Sequence, residues 1–539
     1  MTRDINASRL TDRRSLLKGG AALAAASSLM TLAEARAQGL ALKRGGTLTS
    51  LLTPEPSTIM IGVGAQGPTL MVASKIFQPL FTYTDTLDFK PVLAKSWDIS
   101  EDKRVYRFNL QTGVKFHDGT PMTSQDVIFS AMKFMRALSL RSRVVFEPIE
   151  KAEAPDDHTV IFTLKEPTAA FMMGFGGTAM PVVPRHLNDV ADYRTNPNNA
   201  KPVGTGPFKL AEWRRGSFIR LVRHEEYWKP GQPYLDEIVY RFVPDGQSRA
   251  LALQTGQVQL AGASDIEPFD LPRFQRQPGL QVTSKGWEYY GPMSWIELNK
   301  RNKPLDDVRV RRAMSLAIDR NFIVQRLWFG MGKAATGPFC ESTRHYDPNV
   351  RFPAFDVAAA NRLLDEAGYR PDSRGQRFTL RHAPLPYGEV WTRLSEYFRS
   401  AMQKIGIGLV MENNDTATHT ARFGNWDFDT AVTYIYQAGD ANIGLEQYLA
   451  TANIRKVPFN NVGGYSNPRV DEILSITRTL TDLDQRQKLL SELQRIVADD
   501  MPYLFLTQMA FPTYYSDRLA NPITSGMGLS DSFDEVGFK

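Results

Sequence analysis

Alternating apolar and polar positions predict a sheet-rich first half of the chain. The alternation is clearest at 103–110 and 158–164, as expected for half-buried strands. Helices are predicted from Pro68, which suits a first helical turn, and from Thr123 to Phe134. The other strands predicted here are 45–52, 218–223 and 237–243, so residues 38 to about 285 form an α+β lobe.

Helical spacing dominates the second half. Val310, Ala313, Met314 and Ala317 share one face of a helix predicted over 308–318. A second helix is predicted from Asp356 to Gly368, and two more are predicted over 391–405 and 471–498. Strands are predicted at 408–411 and 429–436. The last strand is almost continuously apolar, which is typical of a central strand. Because no low-complexity linker separates the halves, strands are expected to join the lobes.

The first 37 residues have the features of an export signal. Arg13 and Arg14 precede Ser15-Leu16-Leu17-Lys18, an Ala-rich run follows, and Ala35-Arg36-Ala37 fits a cleavage site before Gln38. The apolar run over 19–33 rises about 22 Å as a helix, short of the roughly 30 Å of a bilayer core. We predict a twin-arginine (Tat) signal peptide cleaved between Ala37 and Gln38. A membrane anchor or an ordinary helix is the alternative.

Composition and charge exclude several classes of protein. The 539 residues are 42% hydrophobic and 23% charged, which is typical of a folded chain of several domains. The net charge is +6, and the first 37 residues, with six basic and three acidic side chains, supply half of it. Nucleic-acid binding needs a concentrated basic face and is not expected. The one cysteine, Cys340, forms no intramolecular disulfide and lies too far from the cleavage site for lipid attachment.

Motifs for catalysis and for cofactors are weak. Residues 62–67 match the dinucleotide fingerprint by spacing, but Pro54, Pro56 and Pro68 break the strand and helix that it requires. The seven histidines are scattered, so neither a metal nor another cofactor is predicted. The sequence has no nucleophile elbow and no phosphate-binding loop, although a triad of distant residues stays open.

Several short segments along the chain form an ordered set. The most recognisable segment is Val114-Lys115-Phe116-His117-Asp118-Gly119-Thr120-Pro121. The other segments of the set are 43–48, 77–81, 91–97, 108–110, 126–127, 203–210, 227–228, 299–320 and 465–468. Each segment alone is weak, but in this order and spacing they together resemble the bacterial extracellular solute-binding proteins of family 5, the receptors of peptide, opine and nickel ABC importers.

The resemblance implies an α/β, two-lobed periplasmic-binding-protein fold with the ligand cleft between the lobes. Residues 38–287 and 510–539 would form lobe one, with 81–200 as an extra subdomain, and 288–509 would form lobe two. The crossovers near 287–295 and 507–513 would be the hinge. The signature segments shape turns and helix caps, so they identify the scaffold and not the ligand.

The resemblance also implies a receptor and not an enzyme. It would be a periplasmic, monomeric protein without a lipid anchor that captures a peptide or peptide-like solute and delivers it to an ABC permease in the inner membrane. The Tat machinery would export it. The alternatives are a periplasmic hydrolase on a two-lobed scaffold and a ligand sensor or chaperone with the same fold.

Four residues are the candidate ligand contacts that the resemblance implies. Asp440 is the first choice, as the partner of a ligand's amino group, and the alternative is an ordinary turn residue. Trp295 would supply an apolar wall or would lie in the core, and Tyr436 and Tyr387 are weaker candidates. The basic residue that dipeptide-binding relatives carry is replaced by Ala383-Pro384-Leu385-Pro386-Tyr387. A longer or modified peptide, an opine or a small glycoside is therefore as well supported as a free dipeptide.

The export signal gives a first testable prediction. Replacing both arginines, Arg13→Lys with Arg14→Lys, is expected to block export, because the machinery recognises the arginine pair. Uncleaved precursor should then accumulate in the cytoplasm, as fractionation and immunoblotting would show. Normal accumulation of the processed double variant in the periplasm would contradict the assignment.

Overall fold

The computed structural model describes residues 42–64 and 66–539. The predicted signal peptide and its cleavage site at Ala37 and Gln38 therefore lie outside the described residues. The strands are β1 (Thr47–Leu51), β2 (Phe81–Tyr83), β3 (Phe89–Pro91), β4 (Ala94–Ile99), β5 (Val105–Leu110), β6 (Ile149–Asp156), β7 (Thr159–Leu164), β8 (Phe208–Arg214), β9 (Phe218–Arg223), β10 (Glu237–Arg241), β11 (Leu260–Ala261), β12 (Leu280–Thr283), β13 (Pro292–Leu298), β14 (Lys333–Ala334), β15 (Phe378–Ala383), β16 (Ile407–Met411), β17 (Thr430–Tyr436), β18 (Tyr503–Gln508), β19 (Thr513–Ser516), β20 (Leu519–Ala520) and β21 (Gly537–Phe538).

Helices cover the sheet faces, most extensively in the second half. They are α1 (Gly67–Ala73), α2 (Ser124–Phe129), α3 (Arg136–Leu138), α4 (Leu140–Phe146), α5 (Arg185–Asn188), α6 (Gly246–Gln254), α7 (Leu271–Phe274), α8 (Val308–Leu316), α9 (Arg320–Phe322), α10 (Val357–Glu366), α11 (Glu389–Gln403), α12 (Thr416–Gly424), α13 (Ala441–Gly444), α14 (Glu446–Leu449), α15 (Pro468–Thr479) and α16 (Leu483–Asp500). None of these described helices combines the length and apolar character needed to span a membrane.

Two sheets organise lobe one. The larger has the order β12-β19-β11-β1-β10-β9-β8, so the opening strand β1 lies at its centre, parallel to β10 and β11. The smaller is the antiparallel sheet β4-β5-β7-β6, which packs Phe108 and Phe162 against Phe171 and Phe175. These side chains are buried and join one extended core with the larger sheet.

Lobe two contains a mixed sheet with the order β14-β18-β13-β17-β15-β16. The prediction of a central strand at 429–436 is confirmed, since β17 is flanked by β13 and β15. Its apolar character follows from this position, because both faces of the strand are covered. Trp391, Leu394 and Phe398 of α11 belong to the core on one face of the sheet.

The chain crosses between the two large sheets at 284–291 and at 509–512. The crossings are adjacent, because the Met509 amide donates to the Pro292 carbonyl at 2.8 Å. Gly286 has a φ of +91°, and a Cβ there would lie 2.4 Å from the Gly528 Cα, so only glycine fits. The division of the chain into two lobes after residues 287 and 509 stays a prediction. Both positions lie in these crossing segments.

The single helix predicted over 471–498 is wrong in extent. Two helices, α15 and α16, occupy this region and are separated at 480–482. Leu480 has extended backbone angles, and the Asp482 carboxylate accepts a hydrogen bond from the Gln485 amide at 2.8 Å. Asp at an N-cap satisfies free helix donors and so favours a new helix start over continuation. The apolar periodicity continues across the break and hides it.

A buried histidine in lobe two should make stability depend on pH. Burial, with a smaller contribution from the nearby His419 ring, lowers the pKa of His382 to about 3. Between pH 6.5 and 3 the unfolded chain therefore binds a proton that the folded chain does not, so stability falls as the pH falls. The free energy of unfolding should drop by about 2 kcal/mol between pH 7 and pH 5 from this group alone.

Urea unfolding at the two pH values measures this effect. In His382→Gln, the drop in the free energy of unfolding between pH 7 and pH 5 should be smaller than in the wild type by about 2 kcal/mol. This holds whatever the substitution does to stability at pH 7. The exposed His158 provides the control, and His158→Gln should leave the slope unchanged. An unchanged slope in His382→Gln would contradict the assignment.

Candidate functional site

The two lobes contact each other along a seam beside the crossing segments. Tyr83, Leu87 and Met173 of lobe one share an apolar cluster with Tyr289 and Ala438. The Arg344 guanidinium of lobe two donates to the Leu87 carbonyl at 2.8 Å and lies over the Phe89 ring. The Ala169 amide donates across the seam to the Arg478 carbonyl at 3.0 Å. The lobes are therefore in the closed arrangement.

Strand β17 presents two tyrosines to one side of its sheet. Tyr434 and Tyr436 are two residues apart and so point to the same face. Trp391 of α11 stacks on Tyr434, with ring centroids 5.2 Å apart and planes 15° apart. Both tyrosines are only partly buried, unlike their neighbours on the strand. They form the lobe-two part of an aromatic surface that reaches the hinge.

The crossing segments supply the remaining rings. Trp287 and Tyr290 lie in the first crossing and Phe511 lies in the second. The Trp287 ring is 4.8 Å from Phe511 and 5.6 Å from Tyr290, while Tyr290 is 5.3 Å from Tyr436. Trp287 and Tyr436 are nearly parallel, 15° apart in plane and 6.5 Å apart between centroids. We call Trp287, Tyr290, Tyr434, Tyr436 and Phe511 the hinge aromatic band.

The hinge aromatic band is neutral at physiological pH. Burial raises the pKa of Tyr436 well above its ordinary value, and the nearby phenols of Tyr434 and Tyr290 contribute in the same direction. Burial also raises the pKa of Tyr290 to about 12, against smaller opposing effects of the neighbouring Ser530 and Thr178 side chains. Phenols with such pKa values stay protonated and can donate hydrogen bonds.

Two small cavities border the seam, each of about 20 Å³. The first is lined by lobe-one residues that include Thr178 and Ser530, whose side chains lie close enough to the Tyr290 hydroxyl to influence its pKa. The second lies between Phe269 of lobe one and Val390 of lobe two. Each volume holds about one water molecule. Neither of these two cavities holds a solute of peptide size.

Asp440 lies beneath the seam and is already paired. Arg486 donates to its two carboxylate oxygens at 2.8 and 2.9 Å, and both side chains are buried. The carboxylate also accepts the Asn442 amide at 3.0 Å and caps α13. Burial would raise the pKa of Asp440, but the Arg486 charge and hydrogen bonds hold it below its ordinary value. These contacts favour a structural role, and the amine-binding role stays a prediction.

The other three predicted residues divide between the core and the seam. Trp295 is 0% exposed, stacks on Tyr503 at 4.4 Å and donates to Glu297 at 3.2 Å, inside the core of lobe two. Tyr436 belongs to the hinge aromatic band. Tyr387 is 46% exposed and close enough to Tyr434 to contribute to the raised pKa of that phenol. The structure thus brings Tyr436 and Tyr387 to one surface and places Trp295 and Asp440 behind it.

Trp287, Tyr290, Tyr434 and Phe511 were missed as candidates from the sequence. A signal for Tyr434 was available, because it shares the period-two face of Tyr436. Nothing local marks Phe511, which lies far along the chain from Trp287 and reaches it only through the second crossing. Among the described residues, no cluster of three or more His, Cys, Asp or Glu side chains is arranged to hold a metal ion.

This chain is similar to known proteins over most of its length. The family model described as bacterial extracellular solute-binding proteins, family 5 middle, matches residues 88–456. A glutathione-binding protein of Pectobacterium atrosepticum is 30% identical over 462 residues, 83% of this chain and 86% of the relative. A dipeptide-binding protein of Pseudomonas aeruginosa is 27% identical over 460 residues, 79% of this chain and 81% of the relative.

Solved structures share the whole architecture. The crystal structure of an ABC transporter substrate-binding protein of Listeria monocytogenes superposes with a TM-score of 0.81 at 25% identity, covering 92% of this chain and 100% of that one. The family model covers well over half of the chain and the fold agrees over nearly its full length. The chain therefore belongs to family 5 of the bacterial extracellular solute-binding proteins.

Proposed function

We propose that this protein is the receptor of an ABC importer that captures a peptide or peptide-like solute and passes it to a permease in the inner membrane. The observation that carries the proposal is an aromatic surface built from both crossing segments and from lobe two. A solute bound there contacts elements that move relative to one another when the lobes open. The peptide class is supported by relatives that are named for binding dipeptides and glutathione.

The proposed capture works through closure of the two lobes around the solute. A solute touching the hinge and both lobes gains more contacts in the closed form than in the open one, so it shifts the population toward closure. Arg344, which spans the seam to Leu87, stabilises the closed form without a solute. This contact, together with the apolar cluster and the Ala169–Arg478 hydrogen bond, opposes opening of the unliganded protein.

Export and assembly complete the proposal. Residues 1–37 act as a Tat signal, and the processed protein works in the periplasm as a monomer without a lipid anchor. The support is the arginine pair, the small-residue cleavage site and the position of Cys340, which is buried beside the Gly291 carbonyl and lies far along the sequence from the predicted cleavage site.

A hydrolase is the alternative function, and the geometry around the histidines disfavours it. His382 contacts Thr430 at 2.8 Å, and the Thr430 hydroxyl donates in turn to the Arg381 carbonyl at 3.2 Å. The imidazole is therefore a donor toward this hydroxyl and cannot remove its proton. Both side chains are fully buried, and a pKa of about 3 makes His382 a weak base.

Removing the cross-seam contact should open the unliganded protein. Arg344→Ala loses the hydrogen bond to Leu87, so the ligand-free radius of gyration should exceed that of the wild type in small-angle X-ray scattering. The solute that co-purifies from the periplasm, identified by native mass spectrometry, should restore the closed profile but bind a few-fold more weakly. Arg374, whose side chain is 85% exposed, gives the control Arg374→Ala. Superimposable profiles of Arg344→Ala with and without solute, if both are more open than the wild type, would overturn the proposed function.

The buried pair Asp440–Arg486 should govern stability. Asp440→Asn and Arg486→Gln should each lower the free energy of unfolding by about 3–5 kcal/mol, because each leaves a buried charge or polar group without its partner. The double variant should lose less than the sum of the two.

Chemical denaturation of the three variants tests the pair. The control is Asp484→Asn, because Asp484 is exposed and lies in α16 with Arg486. Near-wild-type stability of Asp440→Asn, together with loss of binding to amine-bearing solutes, would instead assign the carboxylate to the ligand.

A further inference from the structure

We propose that the first of the two cavities is a subsite for a protonated primary amine of the solute, with Asp531 as its counter-ion. We call this cavity the lobe-one recess; Thr82, Thr178, Ser530 and Asp531 are among the side chains that line it. The inference rests on the proposed function and names the part of the solute that lobe one recognises.

The lobe-one recess matches an ammonium group in size and in hydrogen-bonding capacity. Its volume of about 20 Å³ holds about one water molecule, and an ammonium group is of similar size. An ammonium group brings three N–H donors and no acceptor, so it needs oxygen atoms around it. The lining supplies the Asp531 carboxylate and the hydroxyls of Thr82, Thr178 and Ser530.

Thr82 carries the observation that points to a ligand. This residue of β2 is 4% exposed, and its hydroxyl oxygen is buried without a hydrogen-bond partner in the described part of the chain. The Tyr290 hydroxyl beside the recess is also buried without a described partner. A buried hydroxyl without a partner is unfavourable, and a guest that hydrogen-bonds to it removes that cost.

Asp531 supplies a negative charge that no cation contacts directly. Its carboxylate accepts hydrogen bonds from the Ser532 amide at 2.9 Å and the Thr524 hydroxyl at 3.1 Å. No Lys, Arg or His nitrogen of the described residues lies within 4.0 Å of its oxygens. A carboxylate has about four lone-pair sites, so it can accept an ammonium group as well. Asp440, in contrast, is bound by Arg486 through both of its oxygens.

The buried Lys75 is a weak competitor for this carboxylate. Its ammonium nitrogen donates to the carbonyls of Leu529 and Asp531 at 2.5 and 2.6 Å. A third bond, to the Ser74 hydroxyl at 3.1 Å, uses its last donor, and the group lies over the Phe533 ring at 3.8 Å. Burial lowers the pKa of Lys75 well below its ordinary value, and the Asp531 charge opposes this only in part.

A hydrogen-bond network holds the walls of the recess in place. Gln78, which lines it, donates to the Tyr227 hydroxyl at 2.8 Å and accepts from the Trp228 indole at 3.0 Å. Tyr227 donates to the Asp534 carboxylate at 3.0 Å, and Ser532 donates to its other oxygen at 2.8 Å. The C-terminal segment is therefore fixed against the rest of lobe one, which favours a preformed subsite.

The position of the recess links amine binding to the hinge. Thr178 and Ser530 of its lining influence the pKa of Tyr290, whose ring is 5.3 Å from Tyr436 of lobe two. A solute with its amine in the recess extends over the hinge aromatic band and so contacts both lobes. Such a solute stabilises the closed arrangement.

A defined peptide pool tests the inference. The mature protein is stripped of carried solute in urea, refolded with circular dichroism as the check, and dialysed against Ala-X-Ala peptides in which X is Gly, Leu, Phe or Lys. Each peptide is present with a free and with an acetylated amino terminus, and native mass spectrometry identifies the retained peptides. Acetylated Ala-Lys-Ala carries only a side-chain amine, so it separates that source from the terminal amine.

Peptides with an ammonium group should be retained roughly tenfold over those without one, because the charge-assisted contact is lost on acetylation. Enrichment of the free forms with X as Gly, Leu or Phe assigns the recess to the terminal amine. Enrichment of acetylated Ala-Lys-Ala over the other acetylated forms assigns it to a side-chain amine. Either result supports the inference.

Variants of the lining locate the preference. Asp531→Asn should abolish it, and Thr82→Val should reduce it about threefold, since a hydroxyl contributes less than a carboxylate. Asp517 lies exposed in the same C-terminal segment, and the matched control Asp517→Asn should keep the full preference.

The remaining outcomes separate this inference from the proposed function. Equal retention of peptides with and without an ammonium group overturns the inference and leaves a peptide receptor. A preference that survives unchanged in Asp531→Asn or in Thr82→Val, or that is lost only in Asp440→Asn, also overturns it. Retention of no peptide at all overturns both the inference and the peptide class of the proposed function.

Discussion

The backbone contact between the two crossing segments is the constraint on which the arrangement of this molecule depends. Met509 donates to the Pro292 carbonyl, and the strands that continue from the crossings are paired at Ser294 and Thr507, whose buried hydroxyls are 2.7 Å apart. Two adjacent connections define an axis and prevent the lobes from moving independently. They also bring side chains from distant parts of the chain together, which is why Trp287 and Phe511 touch.

Buried charge in lobe two is paired within the lobe itself. Groups that would be costly to bury alone are paired before any solute arrives, as with Asp440 and Arg486. Under the proposed function, the surface left for a solute consists largely of aromatic rings, and the tyrosine hydroxyls among them stay protonated. A receptor built in this way gains binding free energy from covered apolar area and uses few directional contacts to select its solute.

Much of the fold could be predicted from the sequence. Strand alternation located β5, β7 and β9, and the continuous apolar stretch at 429–436 identified the centre of the lobe-two sheet. The resemblance to family 5 supplied the two-lobed architecture, which the comparisons confirm. The break between α15 and α16 was hidden, because the apolar face of the first helix continues into the second while Asp482 caps a new start.

The candidate site was less predictable. A Gly-Asp turn and a tryptophan on a crossover strand have the same local sequence whether they face a ligand or a core. The partners that decide between these roles, Arg486 for Asp440 and Tyr503 for Trp295, lie 46 and more than 200 residues away in the chain.

The sequence by itself determined the element types, the family and the class of function, because these depend on local periodicity and on short ordered motifs. Only the tertiary structure decided which aromatic side chains face the seam and which carboxylate is already neutralised. Those properties arise from contacts between segments that the two crossings bring together, and no local pattern encodes which distant partner a side chain will meet.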